Sequence, residues 1–285
     1  MVPEQLPKVI LGTAQLSSPY GVTNISTSEK SPQAVHSFLL QAKRLGISTL
    51  DTAPAYGAAE SLICTSKLNF QVHTKLDKTL RPEESLKASL AALNVDSIDL
   101  LYVHDIDSFR ANPELISDSL TRLLGNHVMN IGVSLYDAEE LELVLKFPAI
   151  THIQLPMNLL DQRFTGDVLK RLQSRGLKCI VRSVFLQGAL LIDPYELPNR
   201  IKHLSPYLVS LRHELISRGI SPLEGCLALA GNNKLLDGAI IGAQDEAELS
   251  LIMEAWDRVR NTPPDLGWLP KLQLPPQSAV DPRRW

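Results

Sequence analysis

With 285 residues, the chain is long enough for one large domain or two of ordinary size. Apolar residues make up 44% and charged residues 21%, which is typical of a globular protein and excludes a disordered or fibrous chain. The 28 basic and 31 acidic side chains leave a formal charge of −3, which argues against nucleic-acid binding and against attachment to a membrane surface. The expected partner is a small molecule.

Short apolar segments alternate with longer segments of helical periodicity, and the alternation repeats eight times. The predicted strands are KVILGT (8–13), GISTLD (46–51), FQVHTK (70–75), IDLLYVH (98–104), VMNIGVS (128–134), ITHIQLP (150–156), LKCIVRS (177–183) and DGAIIGA (237–243). Several are apolar at consecutive positions, as strands covered on both faces are. The pattern predicts parallel strands closed into a (β/α)8 TIM barrel, with an open doubly wound sheet as the alternative.

The segments between the strands carry helix start signals at Ser31-Pro32, Arg81-Pro82 and Tyr136-Asp137. The connection at 187–205 is longer than most and is a candidate for a loop that covers a ligand. Residues 262–285 are rich in proline and predict an irregular tail. No linker divides the chain, so we expect residues 1–285 to form one barrel domain.

Ionisable residues stand at the ends of three successive predicted strands. Asp51 closes the second strand, Lys75 the third and His104 the fourth, while Tyr56 follows Asp51 by five residues. Because the functional groups of such barrels lie at the C-terminal ends of the strands, we expect these four side chains to share one mouth.

These four residue types suit proton transfer to a carbonyl oxygen. Tyrosine has an ordinary pKa of about 10, but a nearby ammonium group stabilises the phenolate and lowers that pKa. Lys75 is expected to act on Tyr56 in this way, and Asp51 is expected to keep Lys75 charged. A neutral His104 would orient the carbonyl oxygen by donating a hydrogen bond.

Around these residues the sequence resembles the aldo-keto reductase family. The similar segments are LGTAQ, LDTAPAYGAAE, TKL, LYVH, IGVS, IQLPMN, RSVFLQG and IIGA, which together span nearly the whole chain. The resemblance implies a bacterial-type NAD(P)-dependent oxidoreductase that reduces an aldehyde, a ketone or a sugar-like carbonyl. It also implies that Tyr56 is the general acid and base, that Asp51 and Lys75 adjust its pKa, and that His104 positions the substrate.

The resemblance further implies where a nicotinamide dinucleotide binds. Ser134 and Gln154 match the positions that hold the carboxamide, with Asn158 as a further candidate nearby. The segment 183–188 would line the pyrophosphate, and 242–244 would meet the adenosine phosphate. The complete implied set is Gly12, Thr13, Asp51, Ser134, Gln154, Arg182, Ser183, Val184, Phe185, Gln187, Gly188, Gly242, Ala243, Gln244 and Glu248.

The sequence departs from the family pattern at three places. Leu135 replaces a common Asn, and Arg182 stands where many relatives have a Tyr that stacks on the nicotinamide. The segment 245–248 is acidic and offers no cation for the 2′-phosphate of NADP, whereas acids can accept hydrogen bonds from the free ribose hydroxyls of NAD. Family habit favours NADP (NADPH) and the acids favour NAD, so both cofactors stay open.

Two other functions fit a barrel with these residues. Lys75 could form a Schiff base in a lyase, although a paired Asp51 would keep the lysine protonated and poorly nucleophilic. A non-catalytic barrel that binds a nucleotide as a redox sensor is the second alternative.

The substrate itself is not predicted beyond a polar carbonyl compound. The residues expected to make the pocket polar enough for a sugar or a hydroxylated aldehyde are Gln15, Tyr20, Asp105, Arg182 and Gln187.

Cysteines, histidines and apolar segments indicate the cellular setting. Cys64, Cys179 and Cys226 are widely spaced and form no C-x-x-C pair, which is typical of a reduced, cytoplasmic protein. The histidines form no metal-ligand motif, so no metal is predicted. No signal peptide and no membrane span are predicted either. The sequence leaves the oligomeric state open.

Overall fold

The computed structural model describes residues 6–17, 19–22 and 30–285, and its eight parallel strands form a closed barrel in chain order. The strands are β1 (Lys8–Gly12), β2 (Thr49–Asp51), β3 (Gln71–Lys75), β4 (Leu100–Val103), β5 (Ile131–Ser134), β6 (Ile150–Pro156), β7 (Lys178–Arg182) and β8 (Gly238–Ile241). Because β1 pairs with both β2 and β8, the sheet has no edge. The predicted TIM barrel is confirmed, and the open sheet is excluded.

Helices surround the barrel. Within the described residues they are α1 (Pro32–Arg44), α2 (Ala59–Ser66), α3 (Pro82–Leu93), α4 (Ile106–Ala111), α5 (Pro113–Leu123), α6 (Glu140–Val144), α7 (Asp167–Ser174), α8 (Ser205–Ser217), α9 (Pro222–Gly231) and α10 (Glu246–Asn261). Across the described ranges, none of these is long and apolar enough to cross a lipid bilayer.

The predicted helix starts are correct for α1 and α3, and wrong for α6. The Ser31 hydroxyl accepts a hydrogen bond from the Ala34 amide, and Pro32 occupies the first helical position. Helix α6 begins at Glu140, later than Tyr136-Asp137, because the buried Glu140 carboxylate accepts hydrogen bonds from both amides of that pair at 2.8 and 3.0 Å. These bonds fix a turn where the sequence predicted a helix.

Two apolar layers explain why the strands are apolar on consecutive positions. The larger layer lies between the sheet and the helices and includes Leu11, Leu50 and Val133. A smaller cluster of Ile10, Leu100, Tyr102 and Ile180 belongs to alternate positions of the same strands and fills the barrel interior. The strand interiors are therefore largely apolar, and Asp51, Lys75 and Ser134 are polar residues that stand at strand ends.

The C-terminal residues pack along the loops that follow β5 and β6. They contain three short 3-10 helices, Leu269–Lys271, Gln277–Val280 and Pro282–Arg284. Arg163 donates to the Gln277 carbonyl oxygen at 3.3 Å, and the Trp285 indole donates to the Ala279 carbonyl oxygen at 3.0 Å. These bonds hold the tail against the end of the barrel where β5 and β6 terminate.

Gly132 lies against the Tyr102 ring inside the barrel and has no space for a side chain. A single methyl group at this position should therefore have a large effect on stability. A Cβ atom at Gly132 would lie 2.5 Å from the Tyr102 ring and 3.0 Å from the His152 carbonyl oxygen. We expect Gly132→Ala to reduce the free energy of unfolding by about 1–3 kcal/mol, measured by chemical denaturation.

The Gly132→Ala and Tyr102→Leu double variant tests the cause of that loss. Leucine at position 102 makes room for the methyl group, so the double variant should lose less free energy of unfolding than the two single variants lose together. Additive losses would contradict the steric explanation.

Candidate active site

The structure brings Asp51, Tyr56, Lys75 and His104 together at the C-terminal mouth of the barrel. Asp51 and Lys75 are the last residues of β2 and β3, and His104 directly follows β4. Tyr56 ends a short 3-10 turn, Pro54–Tyr56, that leads from β2 towards α2. All four line one cavity with a volume of about 310 Å³. The expectation that they share one mouth is met.

Lys75 and Asp51 form a buried ion pair at the centre of this site. The Nζ atom lies 2.5 Å from Asp51 Oδ1 and also donates to the Thr52 carbonyl oxygen at 2.8 Å. The second carboxylate oxygen of Asp51 accepts a hydrogen bond from Gln154 Nε2 at 2.9 Å. Both charges are almost completely removed from water, and each has polar neighbours that offset the cost of desolvation.

The pair keeps Lys75 in its ammonium form. Burial alone would lower the pKa of Lys75, but the Asp51 carboxylate and Tyr56 outweigh burial and raise the pKa above its ordinary value. A lysine held in this way is a permanent positive charge and a poor nucleophile.

The pKa of Tyr56 differs from the sequence-based expectation. Burial raises this pKa, the Lys75 ammonium group 4.8 Å from the ring centroid opposes the increase, and the net result lies above the ordinary value. The expected effect of Lys75 is present, but desolvation of the phenolate exceeds it. Tyr56 therefore keeps its proton at neutral pH, as a proton donor must.

His104 stands edge-on to Tyr56 and is neutral. The two ring centroids are 6.5 Å apart and the ring planes meet at 85°. Burial, followed by the charge of Lys75, lowers the pKa of His104 to about 4. A neutral imidazole can donate one hydrogen bond without adding charge to the site, as the sequence led us to expect.

Most residues of the implied dinucleotide site line the same cavity. These are Gly12, Thr13, Asp51, Gln154, Arg182, Ser183, Val184, Phe185, Gln187, Gly188, Gly242, Gln244 and Glu248. Ser134 and Ala243 are buried behind the cavity wall, where the Ser134 hydroxyl lies 3.4 Å from Gln154 Oε1. Asn158 is also buried and donates to the Ser183 carbonyl oxygen at 3.2 Å. The cavity thus continues from the four residues along β7 towards β8.

The backbone that follows β7 is strained where it lines the cavity. Ser183, Leu186 and Gln187 have positive φ angles of 61°, 48° and 56°, which residues other than glycine rarely adopt. Such residues collect at ligand-binding and catalytic sites, where the surrounding fold enforces them. The sequence predicted a ligand loop here from its length and gave no sign of this strain.

Arg182 lines the cavity where the resemblance implied a side chain that stacks on the nicotinamide, and its guanidinium group is held by contacts with the protein. Its guanidinium group lies 4.0 Å from the centroid of the Tyr136 ring and donates to the Leu135 carbonyl oxygen at 3.1 Å. Tyr136 was not among the expected site residues, because a tyrosine after a strand has no distinctive sequence signal.

The acidic residues after β8 are occupied by the start of α10. Asp245 accepts a hydrogen bond from the Glu248 amide at 2.8 Å, and Glu248 accepts one from the Gln244 amide at 2.5 Å. Lys30 lies beside this turn and donates to the Gln244 carbonyl oxygen at 2.5 Å. A cation that the local sequence lacks therefore lies at this turn, on a residue more than two hundred positions earlier in the chain.

The C-terminal tail also contributes to the cavity, which the sequence did not reveal. Pro282 and Arg283 line it next to Tyr136. Asp105, which the sequence predicted to make the pocket polar, does not line it and instead caps α4. Only a contact between distant parts of the chain identifies Arg283.

Metal ligation is not supported among the described residues. No three His, Cys, Asp or Glu side chains in these ranges lie close enough together to hold a metal ion. Cys179 and Cys226 are buried and burial raises the pKa of Cys179 to about 12, which makes it an unreactive thiol.

Comparison with known proteins agrees with this geometry. The family model described as the aldo/keto reductase family matches residues 8–263. The chain belongs to this family. No curated protein is similar enough in sequence to count as a match.

Solved aldo-keto reductases share the fold of this one at low sequence identity. One from Bacillus halodurans, in its holo form, has 19% identity and a TM-score of 0.73, and the similarity covers 94% of this chain and 92% of that one. One from Klebsiella pneumoniae in complex with NADPH has 19% identity and a TM-score of 0.71, over 95% of this chain and 93% of that one. At this identity the likeness establishes the barrel and leaves the substrate open.

The buried ion pair predicts a large loss of stability when one charge is removed from this aldo-keto reductase. In Asp51→Asn the Lys75 ammonium group loses the one carboxylate that pairs with it among the described residues, so we expect the free energy of unfolding to fall by about 3–5 kcal/mol. Chemical denaturation measures the loss.

Glu142→Gln is the matched control, because it breaks an exposed ion pair with Arg171. Water already solvates both of these groups, so the denaturation midpoint should hardly move. Equal stability of the two variants would show that the buried pair is not a stabilising element.

Proposed function

We propose that the protein is an NAD(P)H-dependent carbonyl reductase that reversibly converts an aldehyde, ketone or sugar-like carbonyl into an alcohol. The observation that carries the proposal is the protonated Tyr56 held against the buried Lys75–Asp51 pair and beside the neutral His104. This arrangement supplies a proton at the point where a carbonyl oxygen becomes an alkoxide.

Each of the four residues has a separate part in that reaction. Tyr56 donates its proton to the carbonyl oxygen and takes one back when the reaction runs in reverse. Lys75 stabilises the phenolate that remains after the transfer, and Asp51 keeps Lys75 charged. His104, which is neutral, donates a hydrogen bond that orients the carbonyl oxygen.

The cavity beyond these residues fits an extended dinucleotide. When bound, nicotinamide dinucleotide supplies the hydride that the carbonyl carbon accepts. Four residues between Ser183 and Gly188 have positive φ angles and turn this segment along the cavity, which Gly12 and Gly242 line at the ends of β1 and β8. Gln154 lines the cavity and would bind the carboxamide of the nicotinamide. Its side chain donates to Asp51 and accepts a hydrogen bond from the buried Ser134 hydroxyl, which hold it in position.

Lys30 supports NADP as the preferred cofactor. Two of the acids that suggested NAD, Asp245 and Glu248, accept hydrogen bonds from backbone amides at the start of α10, and the Lys30 ammonium group lies at the same turn. A cation beside a helix N-terminus suits a phosphate group, and a 2′-phosphate distinguishes NADP from NAD. We infer that Lys30 binds that phosphate.

The ion pair argues against a Schiff-base lyase. Such an enzyme needs a neutral lysine, and Asp51 and Tyr56 raise the pKa of Lys75. The assembled proton donor, in turn, has no purpose in a barrel that only senses a nucleotide.

Tyr56→Phe is the decisive test of this function. The variant keeps the ring and loses the proton donor, so kcat for aldehyde reduction should fall about 100- to 10,000-fold. Binding of NADPH, measured by fluorescence titration, should change little because the phenol oxygen is directed to the substrate.

Tyr195→Phe provides the control, since Tyr195 is 76% exposed and does not line the cavity. Its turnover should equal that of the parent protein. Normal turnover in Tyr56→Phe would refute the proposed role of Tyr56, and a parent protein without turnover would favour the sensing barrel.

Lys30→Gln tests the cofactor preference. Without the ammonium group, the ratio of kcat/KM for NADPH to that for NADH should fall about tenfold, which corresponds to the loss of one charge-assisted hydrogen bond. Lys43→Gln is the matched control, because Lys43 is also near α1 but packs over the Phe70 ring. An unchanged ratio in Lys30→Gln would exclude Lys30 from the phosphate site.

A further inference from the structure

Two guanidinium groups enclose one tyrosine ring at the edge of the cavity. The guanidinium carbon of Arg182 lies 4.0 Å from the Tyr136 ring centroid, and that of Arg283 lies 3.5 Å from it. Groups so close to a centroid must lie over the faces of the ring, and two of them cannot share one face. Tyr136 therefore lies between the two cations, and all three residues line the cavity.

Arg283 is fixed in this place by the fold of the tail. Its guanidinium group binds the buried Asp281 carboxylate, with the shortest contact at 2.6 Å. The Gln277 carbonyl oxygen accepts a hydrogen bond from Arg163, which joins the preceding turn to the β6 side of the barrel. The charge of Arg283 is thus largely neutralised by its own neighbour.

Arg182 has no such counterion. Its hydrogen bonds go to three neutral oxygens: Ser134 Oγ at 3.3 Å, Ser183 Oγ at 3.3 Å and the Leu135 carbonyl at 3.1 Å. In the described part of the chain, no carboxylate lies within ion-pair distance of it. A half-buried cation with neutral partners alone is poorly compensated for the water it has lost.

Three carboxylates in and around the cavity are already engaged elsewhere. Asp51 pairs with Lys75 at 2.5 Å, and Asp161 pairs with Arg163 at 2.7 Å. At the far end of the cavity, Glu248 accepts a hydrogen bond from the Gln244 amide at 2.5 Å. The wall formed by Arg182 and Tyr136 therefore presents positive charge that no described side chain cancels.

This charge acts on the reacting end of the cavity. Arg182 is among the groups that lower the pKa values of both Tyr56 and His104, so its guanidinium group is close enough to influence the proton donor electrostatically. A substrate whose carbonyl oxygen lies between Tyr56 and His104 would place its other end towards this wall.

We propose that the natural substrate is a carbonyl compound that also carries a carboxylate or phosphate group, and that Arg182 binds this anionic group. The inference rests on the proposed carbonyl reduction and narrows its substrate class. Among the described residues, three of the five N–H groups of Arg182 have a hydrogen-bond partner and two do not, and a planar guanidinium can bind two oxygens of a carboxylate or phosphate at once. Tyr136 and Arg283 hold the guanidinium plane in position.

Paired substrates test the proposal. The parent protein is assayed with NADPH on a four-carbon aldehyde that ends in a methyl group and on one that ends in a carboxylate, and on glyceraldehyde and its 3-phosphate. In one of the two pairs, we expect kcat/KM to be at least tenfold higher for the charged member than for the uncharged one. The pair that shows this difference identifies the anion as a carboxylate or a phosphate.

Arg182→Gln should abolish that preference. The loss of the charged hydrogen bonds should lower kcat/KM for the anionic substrate about 10- to 100-fold more than kcat/KM for its uncharged partner, mainly through KM. Arg182→Lys keeps the charge without the planar pair of donors and should retain part of the preference. Arg218→Gln is the control, because Arg218 forms a surface ion pair with Glu214, and this variant should leave kcat/KM unchanged for both substrates.

The possible results separate this inference from the function on which it rests. Reduction of both pair members at equal rates would overturn the anionic substrate and leave carbonyl reduction intact. An equal loss for both members in Arg182→Gln, together with weaker NADPH binding, would assign Arg182 to the cofactor and also overturn the proposal. If no aldehyde is reduced, the proposed function itself fails and the inference fails with it.

Discussion

The site depends on one buried ion pair between Lys75 and Asp51. Removing two charges from water is costly, and further hydrogen bonds offset that cost. Lys75 also donates to the Thr52 carbonyl oxygen, and Asp51 also accepts a hydrogen bond from Gln154. Burial and this pair together set the protonation of the neighbouring groups. Lys75 remains positive because Asp51 and Tyr56 outweigh its burial, burial and then Lys75 lower the pKa of His104, and Lys75 limits the increase that burial causes in the pKa of Tyr56.

The closed barrel is the reason that this pair can exist. Strands β2 and β3 are hydrogen-bonded neighbours, so the residues at their C-terminal ends meet without help from any loop. Gln154 comes from β6, across the barrel, and reaches Asp51 only because the sheet closes on itself. An open sheet would hold the ion pair and lose its second support.

The sequence was sufficient for the strands and for the four central residues, because both follow from local pattern. Apolar segments gave all eight strands, and position at a strand end placed Asp51 and Lys75. It was insufficient where distant segments meet, as with Lys30 at Gln244 or Arg283 at Tyr136. It also missed the direction of the Tyr56 pKa, because a charge is visible in a sequence whereas the burial that opposes it is a property of the fold.

The pairing of Lys75 with Asp51 also affects how the site can bind a charged substrate. A free ammonium group beside Tyr56 would attract any anionic group to the proton donor and hold the substrate with its carbonyl turned away. Because Asp51 pairs with that charge, the cavity-lining cation without a carboxylate partner among the described residues is Arg182, at the end of β7. In the proposed reaction, an anionic group would then be drawn away from Tyr56, and the carbonyl carbon would be left where the proton can reach its oxygen. The ion pair that supports the proposed proton transfer would thereby also set the orientation in which an anionic substrate binds.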